Sequence, residues 1–369
     1  MAIYLDNAAG APLRDCARAA MAGVWELCGN PSAAHWAGRA MAARLEDARE
    51  QLAGAVGARP DEIVFTSGGT EANNLAARGL ARQGAAVLAS AVEHPSLASL
   101  PEAVSLGVGP DGRLSPDEVA AAVARAGERP LVCFGWVNSE TGVAQDATAL
   151  AAAARSADAL AHCDAVQALG HLPVDFARQG FDSMALAGHK VGGPVGVGAL
   201  VVRRGLTLRA SLSGGEQEAR RRPGTTPVAL AAGFAAAADA AVGELDARGS
   251  LWRQWHDKLI SRIGADVPDC RANCSQPCSP AIVNLAFAGL RADDLLLLLD
   301  QAGFACSAGS ACTAGVHGPS RVLLAMGRTP DEASAALRVS FGWQTTAAEV
   351  DELIAALPPL VARARSAFD

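Results

Sequence analysis

The chain has 369 residues, a length that suits two packed units rather than one small domain. Half of it is hydrophobic, but much of that is alanine and only 4% is aromatic; the longest apolar run, 229–242, is broken by Asp239, which excludes a membrane span. A net charge of -7 with dispersed arginines and no basic stripe excludes nucleic acid as the main partner.

In chain order, the opening stretch carries Asp6 where a secretion leader needs positive charge and then an apolar run, so a cytoplasmic protein is expected. Nine cysteines, an odd number in such a chain, predict reduced thiols rather than a disulfide framework. Strands are predicted at 63–66, 86–90, 131–136, 159–163, 183–187 and 197–202, with helical periodicity between several of them. That alternation predicts an α/β fold with a largely parallel sheet covered by helices. One long helical stretch follows over about 226–263, then strands at 282–287 and 337–341 with helices at 293–301 and 346–364, a smaller α+β unit.

The first chemical candidate is EIVFTSGGTEANN, 62–74, where a strand runs through Ser67, Gly68, Gly69 and Thr70 into a helix. Bare glycine backbone and free N–H groups at a helix start suit a phosphate, although a plain capped turn has the same pattern. GGPVGVG, 192–198, follows no strand directly and is read as a tight turn. In AHCDAVQALG, 161–170, Asp164 ends a strand, where a carboxylate could hold a protonated ring nitrogen or simply cap a helix; Gln167 follows three residues on.

Lys190, in ALAGHKVGG, is one of only two lysines among 31 basic side chains. Where arginine has replaced lysine nearly everywhere, a retained lysine points to an amine that must lose its proton, as a Schiff base requires; a surface lysine is the alternative. Cys312 in CSAGSACTAG, 306–315, is expected to be an exposed thiol, and Cys306 a buried small hydrophobe. Arg338, in the apolar strand LRVSFG, 337–342, must meet an anion, either a bound carboxylate or a structural salt-bridge partner. Cys270, Cys274 and Cys278 have spacings that match no common zinc or iron–sulfur pattern, and the flanking prolines predict a surface loop, so no metal site is read there.

Ten ordered segments, YLDNAAGAP, GNPSAAH, IVFTSGGTEANN, VEHPS, VNSETGVAQD, HCDAVQALG, AGHKVGGPVGVGAL, GGEQEARRRPGTTP, GSACTAG and LRVSFG, resemble the cysteine desulfurases, class V aminotransferase-type enzymes dependent on pyridoxal 5'-phosphate (PLP) with the fold-type I architecture. GSACT points to the NifS-like branch. The resemblance implies a large domain, 14–250, with a mostly parallel seven-stranded sheet, and a small one, 1–13 with 251–369, carrying the catalytic cysteine.

It also implies roles. Lys190 would form the Schiff base with PLP and move the substrate proton. Asp164 would pair with the ring nitrogen, Gln167 with the ring oxygen, and His94 would stack on the ring and assist acid–base steps. Gly69, Thr70 and His189 would hold the phosphate, with Thr225 reaching in from the second subunit of a homodimer. Asn138 and Arg338 would bind the carboxylate of L-cysteine. Cys312 would take the sulfur as a persulfide, leaving L-alanine, and pass it to an acceptor such as an iron–sulfur scaffold protein.

Alternatives on the same scaffold are a selenocysteine lyase, another lyase or an aminotransferase; a non-catalytic sulfur carrier is a further one. Ala187 replaces the family's usual phosphate-binding serine, and loss of such a hydrogen bond to an anion costs about 1.5–3 kcal/mol. Gly10, Ala11 and Ser139 also depart from the family pattern, near the substrate.

Overall fold

The computed structural model describes residues 2–81, 85–309 and 318–366. After β1 (Ile3–Tyr4), the strands β2 (Ile63–Thr66), β3 (Val87–Ser90), β4 (Ala103–Leu106), β5 (Leu131–Gly135), β6 (Leu160–Asp164), β7 (Ser183–Ala187) and β8 (Gly198–Val202) form one seven-stranded sheet in the order β2-β8-β7-β6-β5-β3-β4. Only β8 runs against the others. The expected α/β sheet is therefore present. Its inner strands β3, β6, β7 and β8 are buried along their whole length, and β5 in all but Gly135, because helices cover both faces, which is why they read as largely apolar runs.

β4, at the sheet edge, has half of its residues exposed, and its weak apolar signal hid it from sequence reading. The predicted helix over 226–263 is two helices, Val228–Gly243 and Leu245–Asp266, bent by 67° at Glu244. The first is Ala-rich, lies in the large core and packs on Asp15–Trp25 and Trp36–Ala55. The second turns Trp252, Trp255, Leu259 and Ile263 into a different core. The bend lets one continuous helical pattern serve both cores. Among the described residues no single helix is long and apolar enough to cross a membrane.

That second core is built on β9 (Cys270–Ala272), β10 (Ile282–Phe287) and β12 (Ala336–Ser340), an antiparallel sheet ordered β12-β10-β9, and on β11 (Phe304–Ala305), which pairs with β1. Ile3 and Leu5 pack into it with Trp255, Phe287 and Phe341. The cysteine segment corrects the surface-loop expectation: Cys270 lies in β9, and Cys278 is buried, its backbone bridged to Val143 and its Sγ 3.6 Å from His256 Nε2. Cys306 is half-buried, and burial pushes its thiol up to about 12.

Candidate functional site

The parallel strands end on one edge of the sheet, and the residues singled out from sequence leave from it: Ser67 to Thr70 after β2, His94 after β3, Asn138 after β5, Asp164 as the last residue of β6, and His189 and Lys190 after β7. This is where open α/β sheets bind ligands. These residues line one cavity of about 750 Å³, joined by Gln167, Ala187 and Arg338.

At the β2 turn, Gly68 has φ +155° and ψ −179°, a conformation open essentially only to glycine. Gly198 of β8 must also lack a side chain, because a Cβ there would sit 2.7 Å from the Gly68 backbone. The turn opens the helix Gly69–Leu80, whose first N–H groups and positive dipole end border the cavity. Arg222 braces it, bonding Glu71 Oε1 at 2.8 Å, while Glu71 Oε2 accepts from Ser67 N at 2.6 Å. Burial alone would raise the Glu71 pKa, but the bonds from Arg222 and Ser67 hold it below the usual value.

Lys190 is half-buried, and its Nζ donates to the carbonyls of Ala8 at 2.7 Å and Ala9 at 2.9 Å. Gln167 Nε2 donates to the same Ala8 oxygen at 2.8 Å, while Gln167 Oε1 is buried with no partner among the described residues. Asp164, 8% exposed, accepts from Asn73 Nδ2 at 2.7 Å and Val166 N at 3.0 Å. His94 caps the short helix Pro95–Ala98, with Nδ1 accepting from Ser96 N at 3.1 Å. Burial lowers the His94 pKa; Asp164 opposes this, and the positive charges of Lys190 and Arg321 reinforce it. His189 is held at about 4 by burial and by Lys190 and His94.

Asn138 Oδ1 accepts from Glu140 N at 3.0 Å and Thr141 N at 2.9 Å, and its Nδ2 donates to Val92 O at 2.9 Å, so its amide also builds its own turn. Arg338 lies in β12 at 2% exposure, and both sequence alternatives bear on it. Its Nη2 pairs with Asp6 Oδ1 at 2.6 Å and Nη1 donates to Ser139 O at 2.8 Å, yet it lines the cavity and its buried Nε has no partner among the described residues. Thr225 is exposed and does not line this chain's cavity. Cys312 lies outside the described residues; Gly309 and Gly318, which bracket its segment, both line the cavity.

Sequence reading missed two residues of this site. Glu93, 3% exposed, has Oε1 accepting from Gly135 N at 2.8 Å and a buried Oε2 without a partner among the described residues. Its signal was an acid next to His94 in an otherwise apolar segment. Asn73 lies on the buried face of its helix with Gly69, Ala72, Ala76 and Leu80, so the signal was a polar residue on an apolar stripe.

The aminotransferase class-V family matches residues 3–353. A Mycobacterium tuberculosis protein named IscS-like cysteine desulfurase is 40% identical over 99% of this chain and 97% of its own length. The solved structure of a NifS-like protein from Rickettsia africae superposes with TM-score 0.91 at 25% identity, covering 98% of this chain and all of that one. A structure described as SspA in complex with cysteine matches with TM-score 0.79 at 30% identity, over 92% of this chain and 98% of that one.

Proposed function

The chain belongs to the aminotransferase class-V family, and on that premise we propose that it is a PLP-dependent cysteine desulfurase, converting L-cysteine to L-alanine with its sulfur left as a persulfide on Cys312. The observation that carries this reading is the convergence of Lys190, Asp164, His94 and Gln167 on one cavity whose wall includes the two glycines bracketing Cys312. The full-length similarity to a protein named as a cysteine desulfurase, and the relative solved with cysteine, support the substrate.

The residues present fit PLP. An amine, a carboxylate at a strand end and a helix start with a bare glycine turn face one space, and Gln167 Nε2, bonded to Ala8 O through one hydrogen, has a second N–H to donate to a ring oxygen. Asp164 would hold the ring nitrogen, Gln167 the ring oxygen, His94 the ring face, and Gly69, Thr70 and His189 the phosphate, with Thr225 supplied by a second copy in a homodimer. Ala187 brings no hydroxyl to this wall. When bound, PLP supplies an electron sink for bonds at the substrate carbons.

The chain's own side chains then divide the work. Lys190, the amine in the cavity, carries protons to and from the substrate carbon. Asn138 and Arg338, both on the cavity wall, orient the carboxylate of cysteine. Cys312, as thiolate, takes the substrate sulfur: a new S–S bond forms as the C–S bond breaks, the carbon keeps the electron pair and gains a proton, and alanine leaves. Residues 14–250 would form the cofactor-binding domain and 1–13 with 251–369 the small domain. An acceptor protein would collect the sulfur.

Two variants test this. Lys190→Ala should abolish the borohydride-reducible absorption of the PLP-loaded protein, and a retained band would remove Lys190 from its role. Cys312→Ser should keep the band but form no alanine from cysteine; undiminished alanine would overturn the persulfide route.

A further inference from the structure

From Asn73 in the cavity wall a chain of buried polar groups runs back into the protein, and the proposed chemistry assigns it no part. Asn73, 1% exposed, donates through Nδ2 to Asp164 Oδ2 at 2.7 Å and to Ser96 Oγ at 2.8 Å. Its Oδ1 lies 2.9 Å from His162 Nε2, and His162 Nδ1 lies 2.8 Å from Ser183 Oγ. Ser96 Oγ lies 2.8 Å from His94 Nδ1, which the Ser96 backbone N–H also reaches. One continuous path therefore joins Ser183, His162, Asn73 and Ser96 to both Asp164 and His94.

Donor and acceptor inventories place every proton on this path. An Asp164 carboxylate needs a donor, so the Asn73 amide nitrogen faces it and Oδ1 faces His162. Oδ1 can only accept, so His162 carries its proton on Nε2 and takes the Ser183 hydroxyl proton at Nδ1. Burial, which holds His162 at about 3, keeps that ring neutral. Both Asn73 Nδ2 hydrogens are now used, one of them on Ser96 Oγ. The Ser96 backbone N–H aimed at His94 Nδ1 requires a lone pair there, so the Ser96 hydroxyl hydrogen points at Nδ1 as well, and the neutral ring carries its proton on Nε2.

We propose that Asn73 is a positioning residue, the hub of a buried relay that orients the Asp164 carboxylate and locks His94 as its Nε2–H tautomer, so that the imidazole presents a donor rather than a lone pair. The proposal deepens, and rests on, the reading of Asp164 and His94 as cofactor contacts. The tautomer itself is a property of the cofactor-free protein. Among the described residues, the charged and titratable groups facing His94 are Asp164 from β6, His189 and Lys190 from the turn after β7, and Arg321 from the helix Arg321–Ala325.

The test is a long-range proton–nitrogen NMR spectrum of cofactor-free protein labelled with ¹⁵N-histidine, with the His94 signals identified by their loss in His94→Gln. Wild-type protein should show His94 as the Nε2–H tautomer; an Nδ1–H signal overturns the proposal. Ser96→Ala and Asn73→Ala should move the Nδ1 resonance in the same direction, because each removes or releases the same hydroxyl donor. No movement in Ser96→Ala overturns the relay, and movement there without movement in Asn73→Ala overturns the hub.

Circular dichroism reports whether Asn73→Ala folds; if it does not, the wild-type tautomer and Ser96→Ala decide between the same outcomes. In folded Asn73→Ala, PLP affinity read by fluorescence should drop about tenfold as Asp164 loses its donor. An unchanged affinity removes Asn73 from the orientation of Asp164. Failure of the cofactor reading itself would appear separately, in the borohydride experiment on Lys190.

Discussion

Glu93 offers the sharpest thermodynamic test of the site. Burial pushes its carboxyl from 4.5 up to about 8; the Gly135 N–H opposes this, Asp164 adds to it, and Arg321 opposes it. The folded pKa is raised, so between about pH 4.5 and 8 the folded chain keeps a proton that the unfolded chain has lost. Stability from this group is full below the lower value and is lost as pH rises through the upper one. The loss runs at about 1.4 kcal/mol per pH unit and sums to about 5 kcal/mol.

Glu93→Gln keeps an oxygen for Gly135 N–H and cannot ionise. The stability difference between variant and wild type should be small at pH 5, grow to about 4–5 kcal/mol in favour of glutamine by pH 8.5, and level off above that. Urea unfolding of cofactor-free protein, followed by circular dichroism at half-unit pH steps, measures it. Taking the difference cancels His162 at about 3 and His171 at about 4, whose lowered pKa values make stability fall in the opposite direction, as pH drops below 6.5. A variant-minus-wild-type difference that stays constant across pH 5–9 would refute the buried, unpaired carboxyl.

Arg49 and Glu218 form a buried pair at 2.8 Å, and the Glu218 carboxylate also takes Phe65 N and Thr226 Oγ1. Arg49→Ala strands that charge and should lower the stability measured by urea unfolding by about 3–5 kcal/mol; a loss below about 1 kcal/mol would refute the pairing. Gly198→Ala places a Cβ 2.5 Å from Leu186 O and 2.7 Å from the Gly68 backbone, so the Ser67–Thr70 turn must shift. PLP affinity measured by fluorescence titration should fall at least about tenfold, and an unchanged affinity would show that the turn does not hold the phosphate.

What could be read from the sequence was whatever the chain states locally. β6 is a mostly apolar run, interrupted by His162 and ending in an acid, and Lys190 is conspicuous in a chain that has almost no other lysine. A strand end in a parallel sheet has only one edge to open onto, so placing Asp164 and Lys190 at strand ends already placed them together. The bend at Glu244 was invisible because helical periodicity continues through it, and its cause is the position of a second core assembled from residues 3–5 and 252–364.

Arg338 shows the same boundary within one side chain. An arginine in an apolar strand signals that an anion is near, but Asp6 meets it from 332 positions away, across the β12 edge where Asp6 bridges Ser340. Asn73 goes further, since its partners Asp164 and His162 lie 91 and 89 residues off and each tolerates other readings alone. A buried polar group is a demand for a partner, and sequence displays the demand long before it displays what meets it. The cavity's acid, amine and phosphate turn could thus be named from the chain, whereas the hydrogen bonds that set their protonation emerge only once the strands are laid side by side.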